Sequence, residues 1–224
     1  MTDANEQARR YLLDEIAREV AATRRYVGIT RLSPAVVAAL ETVPREEFVP
    51  DDLRHLAYQN RPLSIGQGQT ISQPYIVAIM TELAALTTQS HVLEIGTGCG
   101  YQAAVLAEIA KTVVTVERIA SLAGDAKALL KRLGYDNVTV IYSDGGNGWP
   151  AEAPYDAILV TAAAATLPTA LLDQLRPGGR MVIPLGRQDM TQSLVVMEKD
   201  AETGKVRESC NLPVAFVPLL GGLN

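Results

Sequence analysis

The chain predicts an α/β fold: a mostly parallel sheet with helices on both faces. Three observations predict it. Short apolar runs at residues 92–95, 112–117, 138–142 and 155–160 recur through the middle of the chain, separated by stretches long enough for covering helices. The first run enters a glycine turn, Gly96-Thr97-Gly98-Cys99-Gly100, which opens into helix formers over residues 101–110. Carboxylates then mark successive units, Glu94 and Glu117 within their runs and Asp144 just beyond its run, where an open α/β sheet gathers ligands at the strands' carboxyl ends.

The elements follow in order. Residues 5–26 place Leu12, Leu13, Ile16, Ala17 and Val20 at helical spacing with charges between them, and Gly28 punctuates the end. Ser33-Pro34 starts a second helix, serine suiting the cap and proline the first turn; Pro44 ends it. Residues 65–75, Ile-Gly-Gln-Gly-Gln-Thr-Ile-Ser-Gln-Pro-Tyr, have no clean period and are expected to form a polar loop, after which Pro74 opens a helix through Leu83. Beyond the fourth strand, a helix is expected over 167–175. Pro177-Gly178-Gly179 should then turn the chain into a strand over 180–185. Residues 193–198 and 214–218 complete an expected seven strands, at least one of the late ones antiparallel.

The 224 residues, 48% hydrophobic and 20% charged, suit one domain over 1–224, divided into an N-terminal helical region (1–57), an active-site loop (58–75) and a cofactor-binding core with C-terminal strands (76–224). A net charge of −5 without a dense Lys/Arg run argues against a nucleic-acid partner. Charges interrupt the first 30 residues and no later run is long enough to span a bilayer, so the expectation is a soluble, cytoplasmic protein. Cys99 and Cys210 form no metal or disulfide pattern, and two histidines are too few for a His-rich metal site, so no metal is expected.

The turn discriminates between cofactors. Dinucleotide sites need G-x-G-x-x-G, whereas here the spacing is G-x-G-x-G and Tyr101 stands in place of the third glycine. Glu94 before the turn is a poor neighbour for a pyrophosphate but suits an ammonium group. Glu117, about 20 residues on, falls where ribose hydroxyls are accepted. Three acids suit a cofactor that carries an amino acid, a ribose and an amino-bearing base, which describes S-adenosylmethionine.

Several motifs then coincide: Val43-Pro-Arg-Glu-Glu-Phe-Val-Pro50, the 65–75 segment, the glycine turn, Val116-Glu-Arg-Ile119, Tyr155-Asp-Ala-Ile-Leu-Val-Thr-Ala-Ala163 and Arg176-Pro-Gly-Gly-Arg-Met-Val-Ile-Pro184. Over residues 28–220 the chain closely resembles the protein-L-isoaspartate (D-aspartate) O-methyltransferases. The resemblance implies a Rossmann-like class I S-adenosylmethionine-dependent methyltransferase fold and methyl transfer to the α-carboxylate exposed by an isoaspartyl residue in a damaged protein or peptide, leaving S-adenosylhomocysteine. The ester then collapses to a succinimide, whose hydrolysis returns some normal aspartate. It also implies roles for residues: Ser72 as the active-site serine; Ile71, Ser72, Glu94, Gly96, Thr97, Gly98, Gly100, Glu117, Arg118, Asp144 and Gly145 around the cofactor; and Gln73, Phe216, Val217 and Pro218 along the peptide. A monomer is expected. Cys99 in place of a serine, Ser64 in place of a proline and Ala164-Ala165 depart from the family pattern, the last beside the substrate. A carboxyl methyltransferase for another peptide carboxylate and a non-catalytic isoaspartyl-binding module are the alternatives.

This chemistry asks for few catalytic groups. A carboxylate with a pKa near 4 is already ionised at neutral pH and needs no general base, so alignment dominates. Opposite charges are partly neutralised in the transition state, which favours a dry site with a few neutral donors, such as Ser72 and backbone N–H groups of the 65–75 segment. Capping of the following helix is the simpler role open to Ser72.

Overall fold

The structure, a computed structural model, describes residues 2–223. The N-terminal helix α1 (Thr2–Val27) buries Leu12, Ile16 and Val20, a stripe at i, i+4 and i+8, against the rest of the chain. Helix α2 (Pro34–Thr42) starts as expected, with the Ser33 hydroxyl accepting from the Val36 N–H at 3.4 Å. Two short 3₁₀ helices, Arg45–Phe48 and Asp51–Leu56, lead into strands β1 (Leu63–Gly66) and β2 (Gln69–Ile71), and helix α3 (Pro74–Leu83) follows.

The core alternates from there: β3 (His91–Ile95), α4 (Tyr101–Ala107), β4 (Thr112–Glu117), α5 (Ala120–Arg132), β5 (Val138–Tyr142), β6 (Tyr155–Val160), α6 (Thr169–Gln174), β7 (Leu175–Leu185), β8 (Gln192–Lys199) and β9 (Val206–Val214). These strands form a seven-stranded sheet in the order β5-β4-β3-β6-β7-β8-β9. Pairings from β5 to β7 are parallel, and β8 runs antiparallel to both neighbours. Period-2 alternation divides the apolar residues between two faces. Val92, Val113, Leu159 and Val182 pack with α1 to α4, while Leu93, Val114, Ile158 and Met181 pack on the other face with Leu171 of α6.

The seven-stranded, mostly parallel sheet matches the sequence expectation; three local features differ. Residues 63–71 form an antiparallel hairpin rather than a loop, Leu63 opposite Ile71 and Ser64 opposite Thr70. Its turn places Gly66, Gln67 and Gly68 in succession at φ 86°, 54° and 70°, a left-handed run that the two glycines make possible. Pro177-Gly178-Gly179 does not precede β7 but lies inside it, where the register with β6 shifts between Tyr155 and Ala157. The last strand is 206–214, not 214–218, and beyond it, among the described residues, only an isolated bridge pairs Pro218 with Ala163.

Register decides what reaches the site. Ile95 lies opposite both Val116 and Val160, so Gly96, Glu117 and Thr161 leave the same edge of the sheet side by side.

Candidate active site

A cavity enclosing about 860 Å³ of empty space, part of it open to solvent, lies at this edge. Its walls come from the β2 exit (Gln69 to Ser72), the β3–α4 turn (Glu94 to Cys99), the end of β4 (Val116 to Ile119), Thr161-Ala162 and the segment Val217 to Leu220. That size and apolar lining suit an organic ligand of nucleoside dimensions.

Backbone geometry builds the cofactor side. Gly96 has φ 98°, and a Cβ there would lie 2.4 Å from the Thr161 hydroxyl, which is itself tied to the carbonyls of Ile95 (3.0 Å) and Gly96 (2.7 Å). Only glycine fits so close an approach. The Gly98 N–H donates to Glu117 Oε2 at 2.9 Å, and the Ile119 N–H donates to Oε1 at 3.0 Å. Both carboxylate oxygens are thus held in place while each keeps a lone pair free for a ligand hydroxyl.

Glu94 is fully buried. Its Oε2 accepts from the Thr115 hydroxyl at 2.5 Å, and Thr115 lies 2.7 Å from the hydroxyl of Thr97; Oε1 has no partner. Desolvation pushes this carboxyl up to about 8, opposed by the Thr115 hydrogen bond and assisted by the charge of Glu117. A buried acid with an orphaned oxygen in a cavity wall matches a ligand's ammonium group, and together with the glycine cradle and Glu117 it fits the amino-acid and ribose parts of S-adenosylmethionine.

Long-range side-chain contacts build the opposite wall. Ser72 lines the cavity. Helix α3 takes no side-chain cap, so the Ser72 hydroxyl is not spent on capping. The Ser72 carbonyl accepts from Arg45 Nη2 at 2.7 Å. Behind it, Glu19 of α1 accepts from Gln73 Nε2 (3.2 Å) and Asn60 Nδ2 (2.7 Å), Asn60 accepts from the Tyr75 N–H (3.0 Å), and the Tyr75 hydroxyl meets that of Thr23 at 2.7 Å. Helix α1 therefore buttresses the serine segment from outside.

Of the residues singled out in the sequence, Ile71, Ser72, Glu94, Gly96, Thr97, Gly98, Glu117, Arg118, Gly145, Val217 and Pro218 all line this one cavity. Four do not. Gly100 (φ 89°) shapes the turn from behind, where a Cβ would come within 3.1 Å of Leu130. The Gln73 side chain points to Glu19. Asp144 accepts from Gly146 (2.9 Å) and Gly222 (2.7 Å) N–H groups, and the Gly222 carbonyl accepts from Arg118 Nε at 2.9 Å, so the C-terminal segment lies over the rim where Asp144 was expected to face a ligand. Phe216 is gripped at both backbone groups by Gln192, whose Oε1 accepts from the Phe216 N–H (2.6 Å) and whose Nε2 donates to its carbonyl (3.2 Å).

Thr161, Leu219 and Leu220 are wall residues that sequence reasoning missed. Thr161 could have been found from its place just after a buried parallel strand; the two leucines carry no pattern. Cys99 also faces the cavity, but desolvation pushes its thiol up to about 11, which leaves it protonated and unsuited to nucleophilic attack at neutral pH. Among the described residues, no cluster of three or more His, Cys, Asp or Glu is placed to hold a metal ion, and no helix is long and apolar enough to cross a membrane.

The chain is similar to known proteins along most of its length. The family model for protein-L-isoaspartate(D-aspartate) O-methyltransferase matches residues 18–224. A protein-L-isoaspartate O-methyltransferase 2 of Syntrophobacter fumaroxidans is 54% identical over 215 residues, covering 96% of this chain and 87% of that protein. A solved protein-L-isoaspartate O-methyltransferase superposes with a TM-score of 0.81 at 29% identity, over 96% of this chain and 67% of the other. A Plasmodium falciparum structure described as a protein-L-isoaspartate O-methyltransferase with S-adenosyl-L-homocysteine superposes at 0.74 with 24% identity, over 93% and 98%, and shares the fold.

Proposed function

The chain belongs to the protein-L-isoaspartate(D-aspartate) O-methyltransferase family, and on that premise we propose that it repairs damaged proteins and peptides by transferring a methyl group from S-adenosylmethionine to the α-carboxylate of isoaspartyl residues. The observation that carries this reading is the shared cavity: Ser72 faces the same space as Glu94, the glycine turn and Glu117.

When bound, S-adenosylmethionine supplies a methyl group on a positively charged sulfur, which a carboxylate can attack without a base. The chain's own residues do the rest. Glu94 takes the ammonium end, Glu117 the ribose hydroxyls, and Gly145 and Ile119 the base end of the cleft. The Ser72 hydroxyl, free of capping, donates to the incoming carboxylate and aims it. It is neutral, so it orients the nucleophile without a direct ion pair that would lower its reactivity. The largely apolar walls contributed by Ile71, Val77, Ala162 and Leu219 limit water, which favours a transition state in which charge disperses.

The peptide passes along Val217 and Pro218, which line the same cavity as Ser72. A net charge of −5 without a dense basic run supports action on proteins rather than nucleic acid. Cytoplasmic action as a monomer completes the reading. The deciding experiment offers radiolabelled S-adenosylmethionine with an isoaspartyl peptide and its normal aspartyl isomer. Label should enter the isoaspartyl peptide alone, as a base-labile ester. Equal labelling of both peptides would favour a different carboxylate acceptor, and no ester at all would leave only a binding role.

A further inference from the structure

Arg45 is fully buried, yet no carboxylate pairs with it among the described residues. Its Nε donates to the Ala57 carbonyl at 2.9 Å and its Nη2 to the Ser72 carbonyl at 2.7 Å. The guanidinium carbon stands 4.7 Å from the centre of the Tyr101 ring, and the centres of the Tyr101 and Phe48 rings lie 5.5 Å apart in a T-shaped pair. Nη1 is buried without a hydrogen-bond partner. A guanidinium cannot shed its charge inside a protein, and burying one against two carbonyls and a ring is a poor way to gain stability. An apolar side chain of similar size would fill the space at lower cost. The arrangement calls for another explanation.

Its position supplies one. Tyr101 is the first residue of α4, directly after the glycine turn, and both Tyr101 and Ser72 line the cavity. One planar side chain therefore touches the serine segment through its fork and the cofactor turn through its face. Holding the Ser72 carbonyl fixes the peptide unit that follows Ser72, and with it the direction of the hydroxyl. The unneutralised charge sits one backbone unit behind the point where a substrate carboxylate would arrive. It is close enough to attract an anion through a low-dielectric wall, and shielded from direct pairing by the Ser72 main chain.

We propose that Arg45 is a positioning residue for methyl transfer, a buried cation that aligns Ser72 against the cofactor turn and draws the anionic substrate without touching it. The proposal rests on the function proposed above and deepens it by naming how the anionic peptide is recruited.

The test compares the unmodified chain with Arg45→Lys and Arg45→Met, using an isoaspartyl peptide, its uncharged isoasparaginyl counterpart as a competitive ligand, and calorimetric titration of S-adenosylhomocysteine. Arg45→Met should raise the KM for the isoaspartyl peptide and lower kcat, each about tenfold, with S-adenosylhomocysteine affinity changed less than threefold. Its preference for the charged over the uncharged peptide should shrink. Arg45→Lys restores the charge but not the fork, so it should recover KM and the charge preference while kcat stays low. A Lys variant with unaltered kcat, or a folded Met variant with unaltered KM and charge preference, overturns the proposal. Equal losses in kcat, peptide affinity and cofactor affinity would do the same by reducing Arg45 to a packing residue. If Arg45→Met fails to fold, the kcat of Arg45→Lys alone decides. Inactivity of the unmodified chain would instead bring down the functional reading, and this inference with it.

Discussion

The two walls of the cavity are made in opposite ways. The cofactor wall comes chiefly from residues 94–119, one β-α-β unit whose strand ends and glycine turn fix Glu117 through backbone N–H groups. The serine wall is assembled from pieces far apart in sequence: Glu19 reaches Gln73 across 54 positions, Thr23 reaches Tyr75 across 52, and Arg45 reaches Ser72 across 27. A local wall should form and bind by itself once the sheet forms, whereas a composite wall depends on α1, the 3₁₀ helix and the hairpin all docking correctly. Cofactor binding and methyl transfer should therefore separate under mutation.

The largest separation is expected from Ser72→Ala, which removes a neutral hydroxyl donor from the serine wall of the cavity. Turnover should fall on the order of 10²-fold, the scale for losing a preorganised donor, with cofactor affinity intact by calorimetry. Loss of affinity with a preserved single-turnover rate would put the hydroxyl on the cofactor wall instead.

Next in size is a pH effect confined to the cofactor wall. Burial raises the Glu94 carboxyl from 4.5 to about 8, so the folded, ligand-free protein holds a proton there that the unfolded chain releases above pH 4.5. This contribution to stability is complete below pH 4.5 and is lost as pH rises through 8. Between pH 6 and pH 9 the ligand-free protein should lose about 2–3 kcal/mol of unfolding free energy relative to a Glu94→Gln control. Parallel denaturation profiles for the two proteins across that range would show that Glu94 is already ionised.

Glu117→Ala should weaken S-adenosylhomocysteine binding roughly tenfold, by removing an acceptor worth about 1–2 kcal/mol, and leave the preference for isoaspartyl over aspartyl peptide as it was. Altered peptide preference would show that the two walls communicate. The smallest change is expected from Glu19→Ala, which loosens Gln73 and Asn60 behind the serine. A twofold to fivefold fall in kcat/KM with unchanged cofactor affinity would sharpen the contrast. An unchanged rate would limit α1 to packing.

The same contrast explains what could be read in the sequence. The β3–α4 turn and the spacing from Glu94 through Glu117 to Asp144 were legible because they follow chain-local rules of strand period, glycine turns and carboxyl-end placement. The hairpin was not, since strands of four and three residues show too little alternation, and Gln67 gives no hint of its positive φ. Strand β9 was hidden by its position at the sheet edge. Arg207, Glu208 and Ser209 face solvent, and Pro213 is tolerated because an edge strand can spare an N–H. Arg45 was legible only as part of a motif, because nothing in Pro44-Arg45-Glu46 shows that this arginine, rather than its neighbours, turns inward. Asp144 was placed at the correct strand end, but no local rule could foresee Gly222 bonding to it.

The segment after β9 carries one more implication. Gln192 holds both backbone groups of Phe216, while Ala163 takes the Val217 carbonyl and the Leu219 N–H. Among the described residues, neither the Val217 N–H nor the Pro218 carbonyl has a hydrogen-bond partner, so main-chain groups are left open along this stretch. A guest polypeptide docked there would be gripped by features common to every amino acid. Such a grip is indifferent to neighbouring side chains, which suits an enzyme whose target is a damaged backbone linkage rather than a particular sequence.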